Sequence, residues 1–265
     1  MGKIFLKKKF EGFTLIELLV VIAIIALLAS IIMVFSKSAR EKAQIARAFV
    51  FSSSVQQALG SEIGGKFPFD NSTQDSSGYN HTATVVGTET YVPGMAGKAF
   101  SFNGSTKIEV DDPGTGSSLD PTTALTMEAW MKSDYGNGDC VYKPIVVKYN
   151  SYFLVINCWD GKTALVFRGL TSDGETNYYF EGDYQPAVKI KRNEWVHVVA
   201  SLDIPTQKIK IYINGEEVPI STPWLPRVND HIIDGGVDLV IGGDTSGNYF
   251  SGVLDEVRIY NTSVP

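Results

Sequence analysis

Glu17 is the one charged side chain in the run FTLIELLVVIAIIALLASIIMVF, residues 13–35. A carboxylate set in that much apolar surface has one useful chemistry: it attracts a cation. The energetics still allow the segment into a bilayer. About 23 residues at 1.5 Å rise give roughly 35 Å of helix, against a hydrocarbon layer ~30 Å thick. About 13 residues of Ile, Leu, Val or Phe between Leu18 and Phe35 contribute on the order of 6 kcal/mol, more than the ~3 kcal/mol penalty of an acid at the helix centre. The segment is therefore expected to insert with Glu17 in need of a partner. Other reactive side chains are sparse. His81, His197 and His231 are scattered, and no Ser-His-Asp or zinc-ligand spacing is present.

Immediately before the run lies MGKIFLKKKFEG, a basic leader that closes on Gly12. The stretch Gly12-Phe13-Thr14-Leu15-Ile16-Glu17, between this leader and the long apolar run, resembles the type III signal of type IV pilins and pseudopilins. The resemblance implies a prepilin peptidase/N-methyltransferase that cuts after Gly12 and methylates the new N-terminal residue, Phe13. It also implies that Glu17 pairs with the N-terminal ammonium of a neighbouring subunit. Gly12 offers no side chain to obstruct a peptidase, and the cut creates a cation suited to neutralise the buried acid as helices bundle. A secretory signal would have a shorter core with a small-residue cleavage site after it. Lys3, Lys7, Lys8 and Lys9 precede the helix, while Lys37, Arg40 and Lys42 follow it, so orientation rests mainly on the leader match. Many pilins carry a proline in the second half of this helix. Positions 26–40 hold neither Pro nor Gly, which leaves open a main fibre subunit or a minor, tip-type one.

The elements that must position these groups follow from composition. Beyond the apolar run the pattern turns amphipathic, with Ala39, Ala43, Ala46 and Val50 at three- and four-residue spacing, and Gly60 is a good stop. Residues 1–12 read as a cleaved leader, 13–60 as a transmembrane and stalk helix, 61–66 as a linker and 67–265 as a head. In the head, short β-type runs alternate with turn residues: KAFSFN, LTMEAWMK, YFLVINCW, WVHVVASLDI, KIKIYING and GVLDEVRIY among them. Ile209, Ile211 and Ile213 face one way while Lys208, Lys210 and Tyr212 face the other. Asn214-Gly215 predicts a two-residue hairpin turn.

In order, FPFDNSTQDSSGYNHTATV, GKAFSFNGSTKIEV, LTMEAWMK, NEWVHVVASLD, KIKIYINGEEV and FSGVLDEVRIYN resemble laminin-G-like/concanavalin A-like jelly rolls. The resemblance implies an all-β head of two antiparallel sheets, with binding loops at one edge or on the concave face. It does not fix an activity. Glucanases of this fold place catalytic acids at alternate positions of one strand. Here Glu109-Val110-Asp111 runs into Asp112-Pro113-Gly114, Asp255 and Glu256 are adjacent and face oppositely, and His197 reads as structural. No enzyme is expected. Many domains of the fold hold one Ca²⁺, and oxygen-rich loops lie near Asp70, Asp75, Asp111, Asp112 and Asp244. None has the spacing of a dedicated calcium loop, so solvated turn residues are the expected reading and no metal ligand is assigned. Trp159, Trp224, Tyr135, Tyr178 and Tyr179 could stack on sugars, although aromatic residues in a sandwich mostly fill the core.

The net charge is −6, and removing the leader makes it more acidic, with no basic stripe, so nucleic acid is not an expected partner. Cys140 and Cys158 flank a predicted hairpin; outside the cytoplasm they would form a disulfide, the alternative being two buried thiols. The expectation is a bacterial inner-membrane, single-pass prepilin with an extracytoplasmic head. It would assemble with other pilin or pseudopilin subunits into a surface filament or periplasmic pseudopilus and bind glycans or surface proteins. A type II secretion pseudopilin that handles exported cargo stays open beside it, as does a membrane-tethered glycan-active enzyme.

Overall fold

Thr14 and Gly60 bracket one helix, α1 (Leu15–Leu59), in the computed structural model, which describes residues 12–114, 116–135, 139, 142–159, 162–172, 177–184, 190–220 and 230–265. Contacts divide the chain into two units, Met1–Gln44 and Ile45–Pro265. In the first, the large apolar side chains of Phe13 and of Leu15 through Leu28 are all exposed around the helix. Residues 13–35 are expected to span a membrane, yet among the described residues no helix is long and apolar enough to cross one.

In the second unit a 3₁₀ turn (Gly60–Glu62) leads into β1 (Ile63–Phe67), β2 (Ala83–Val86), β3 (Tyr91–Pro93), β4 (Lys98–Asn103) and β5 (Lys107–Val110). There follow β6 (Ala124–Ser133), β7 (Lys143–Lys148), β8 (Tyr152–Trp159), β9 (Lys162–Ser172) and β10 (Asn177–Tyr184). The last are β11 (Trp195–Asp203), β12 (Lys208–Ile213), β13 (Glu216–Val218), β14 (His231–Ile232), β15 (Leu239–Ile241) and β16 (Ser251–Tyr260). They make two antiparallel sheets. The first runs β13-β12-β11-β6-β16-β4-β3, with β1 added on β16; the second runs β10-β9-β8-β7-β15-β5-β2, with β14 added on β9. Residues 61–66, expected as a linker, are instead the 3₁₀ turn and most of β1. Gly64 and Gly65 have no side chains there because a Cβ on either would meet Ser118, Leu119 or Phe67.

Alternation builds the sandwich. Met127, Ala129 and Met131 of β6, Val198 and Ala200 of β11, and Ile209, Ile211 and Ile213 of β12 join Leu154, Ile156, Leu165 and Phe167 of the second sheet in one core. Each fully buried Val, Leu, Ile or Phe contributes about 1.5–3 kcal/mol. Asn214 and Gly215 both take positive φ, 50° and 72°, as the predicted hairpin between β12 and β13 requires. The outer face of the first sheet is covered by the end of α1. Phe49 lies 4.8 Å from the Trp130 ring, Phe51 lies 4.7 Å from Tyr212, and Val55 and Leu59 pack on Tyr260.

Candidate functional site

Among the described residues, three places bear first on the expectations from sequence. At the start of α1, Glu17 Oε2 accepts the Thr14 N–H (2.9 Å) and the Thr14 hydroxyl (2.7 Å), while Thr14 Oγ1 accepts the Glu17 N–H (3.3 Å). This is a capping box: Thr14 sits at the N-cap and Glu17 at the third helical position, and each satisfies the other's backbone donor. Glu17 therefore has a local partner as well as an exposed carboxylate. Among the described residues nothing crowds Gly12, and Phe13 is exposed.

Beneath the end of α1 lies a buried polar cluster. Glu128 accepts from Ser52 Oγ (2.5 Å) and Tyr260 OH (2.9 Å), bonds His197 Nε2 (2.8 Å), and faces Arg258 at 3.2 Å. Glu128 and His197 are fully buried. Ser52 closes the cluster from the helix side, so it binds α1 to the sheet. The expected structural role of His197 fits this geometry. Asp255 behaves similarly, accepting the Met95 N–H at 2.7 Å and the Ala96 N–H at 3.0 Å. Burial pushes its carboxyl up to about 6. Glu109 pairs with Lys107 at 2.7 Å.

The third place is a cleft of about 300 Å³ on the face of the second sheet turned away from the core. Inward residues of β8 such as Leu154 and Ile156 fill the sandwich, which leaves Phe153 and Val155 outward, where Val155 packs with Val147 and Val166. Phe153 stands opposite Arg168 in the β8–β9 ladder, and the guanidinium lies 4.9 Å over its ring. Tyr142, half-exposed Tyr149 and Asn248 complete the wall. The loop that carries Asn248 is pinned by Asp244, whose carboxylate accepts the Ser246 N–H (2.8 Å), the Asn248 N–H (2.9 Å) and Asn248 Nδ2–H (2.7 Å). Burial, then the Asp244 charge, pushes the Tyr142 hydroxyl up and keeps it a donor. Aromatic faces beside a guanidinium, an amide and a phenol suit a sugar ring, which is apolar on its faces and polar at its edge.

Of the aromatic residues singled out from sequence, Tyr135 holds the Lys143 ammonium 5.0 Å over its ring and does not line the cleft. Trp224 and the side chains of Trp159, Tyr178 and Tyr179 lie outside the described residues, as do Cys140 and the Cys158 side chain. Tyr149 is adjacent to the Asn150 turn, and that position was the one available signal for an exposed aromatic. The acidic loops do not converge. Asp70 accepts the Lys98 N–H (2.7 Å), and Asp75 accepts the N–H groups of Lys66, Ser77 and His81. Asp111 is exposed and Asp244 serves its own loop. Of these acids, Asp112 meets further acids among the described residues, Asp120 and Asp234.

Comparison with known proteins accords with this geometry. The family model described as the concanavalin A-like lectin/glucanases superfamily matches residues 102–264, and that of the prokaryotic N-terminal methylation motif matches residues 7–33. None of the curated proteins compared with the chain matches it. Among solved structures, domain 4 of AbnA, a GH43 extracellular arabinanase from Geobacillus stearothermophilus, in complex with arabinotriose, is similar at TM-score 0.57 and 25% identity. That similarity covers 77% of this chain and 94% of that one. The binding domain of Paraclostridial Mosquitocidal Protein 1 (TM-score 0.57, 17% identity) is similar over 78% of this chain and 50% of its own. The binding domain of Botulinum Neurotoxin DC in complex with SialylT (TM-score 0.58, 15% identity) is similar over 78% of this chain and 49% of its own. The chain thus spans about half the length of the toxin structures, which share its fold.

Proposed function

The chain belongs to the concanavalin A-like lectin/glucanases superfamily and carries a pilin-type N-terminal methylation motif, and on these premises we propose that it is a prepilin-type filament subunit that displays a glycan-binding head. The motif implies processing by a prepilin peptidase. In this reading the leader is cut after Gly12, Phe13 is methylated, and α1 holds the subunit in the inner membrane until it enters a filament. The all-round apolar surface from Leu15 to Leu28 supports that use, because a helix apolar on every side needs lipid or other helices around it. Glu17 then serves twice, as the cap of its own helix and as the acceptor for a neighbour's terminal amine.

The observation that carries the head's role is the cleft at Tyr149, Phe153 and Arg168 in a fold whose relative from the arabinanase was solved with arabinotriose. The head is read as a binder without turnover, since Glu109 is tied to Lys107 and the acidic series breaks at Pro113. The test is binding of the full chain in detergent to arabinotriose and to a glycan array. The wild type is expected to bind a glycan without hydrolysing it, and Tyr149→Ala to bind it about tenfold more weakly, a loss of ~1.4 kcal/mol. Equal binding by the variant, or none by the wild type, would instead favour a head that handles cargo or serves only as structure.

The capping box sharpens the test of Glu17. Gln at this position keeps an oxygen acceptor for Thr14 but removes the charge. Glu17→Gln should fold and insert like the wild type, yet give at least about tenfold fewer filaments, counted by shearing and immunoblotting. Wild-type yield from Glu17→Gln would assign Glu17 to capping alone.

A further inference from the structure

Lys148 closes β7 with its side chain fully buried, and its ammonium bonds the carboxylates of Asp112 and Asp120, with Asp234 at 3.5 Å. These acids come from the segment after β5, the segment before β6 and the segment between β14 and β15. One oxygen from each lies within 4.8 Å of the others. The Asp120 side chain is only 7% exposed, and its Oδ2 is buried without a hydrogen-bond partner. An unpartnered buried carboxylate oxygen beside two more carboxylates is the donor set of a hard divalent cation, for which oxygen ligands are preferred. The ammonium stands among these donors, so the residues present do not fit a resident ion.

We infer that Lys148 is a built-in replacement for a structural divalent cation: its ammonium fills a three-aspartate cradle and holds three segments together without metal. Chemistry favours the substitution in this setting. An ammonium supplies one charge and three donors, enough to tie carboxylates that would otherwise repel each other. The carboxylates return the effect: burial alone would lower the Lys148 ammonium, but Asp112 and Asp120 more than offset it and push the group up. Asp120 is pushed up by burial, against the pull of Lys148. The device also braces the cleft, because Tyr149 and Asn150 follow Lys148 directly and the Tyr149 carbonyl lies where a side chain on Gly235 would have to go. The inference stands apart from the glycan reading, since its test reads cation binding only.

The experiment is thermal unfolding and calorimetric Ca²⁺ titration of the full chain in detergent, with EDTA or with millimolar CaCl₂. The wild type should melt at the same temperature in both, and Lys148→Met should be restored by Ca²⁺ with a rise in Tm of about 5–10 °C at saturating ion. Adding Asp120→Asn to Lys148→Met should abolish the rise. A wild type that loses stability in EDTA overturns the inference, and so does a folded Lys148→Met that takes no Ca²⁺. If Lys148→Met does not accumulate, Lys148→Arg decides: folding without Ca²⁺ supports an internal cation, and a Ca²⁺ requirement contradicts it.

Discussion

Replacing Glu128 with alanine should destabilise the head by about 3–5 kcal/mol, the range for removing one partner of a buried ion pair. At this size that is a fall in Tm of roughly 6–20 °C. The magnitude follows from what is left behind. Without Glu128, the guanidinium of Arg258, itself only 4% exposed, keeps among the described residues the Glu256 carboxylate; Ser52, His197 and Tyr260 each lose a buried partner. The loss should reach the helix, because Ser52 is the contact from α1 into the cluster. Amide hydrogen exchange in residues 45–59 is therefore expected to accelerate along with the drop in Tm. Burial alone would raise the Glu128 carboxyl, but the His197 hydrogen bond, the Arg258 charge and the Ser52 hydroxyl hold it below its ordinary value of 4.5. Its stabilisation is thus complete above that value and is lost as pH falls through the lower folded-state pKa. Over that acid window the variant should lose less stability than the wild type. A Glu128→Ala head that melts within a degree or two of the wild type would mean the cluster holds nothing in place.

Gly12→Asp should leave the uncut precursor as the only form in the membrane fraction. Among the described residues a Cβ at Gly12 meets nothing within 4 Å. The effect is expected in the peptidase, whose active site would have to accept a charged side chain next to the scissile bond. Gly12→Ala, with a single methyl, is expected to be cut slowly. Normal processing of Gly12→Asp, read as the size of the band on an immunoblot, would contradict the assignment of the junction.

The head's strands were legible because a half-buried sheet imposes a period of two, and Ile209, Ile211 and Ile213 obey it without exception. Asn214-Gly215 was legible because few dipeptides accept two consecutive positive φ angles. β1 was hidden by the same chemistry. Gly64-Gly65 looks like linker, yet these glycines mark where Ser118 and Leu119 press against the strand. The Glu128 cluster joins side chains from positions 52, 128, 197, 258 and 260, brought together by the register of β6 against β11 and β16 and by the end of α1 packing on that sheet. The cradle around Lys148 is assembled in the same long-range way, so Asp112 was visible as an oxygen-rich loop while Asp120 and Asp234 were not. The cleft eluded composition because its aromatic residues are ordinary in sequence. Phe153 faces outward only because β8 places Leu154 inward.

Mass spectrometry of the mature protein from cells tests the central claim most directly. The account predicts a chain that begins at Phe13 and carries one methyl group on its terminal nitrogen. A protein that retains Met1 through Gly12, or begins elsewhere, would contradict it.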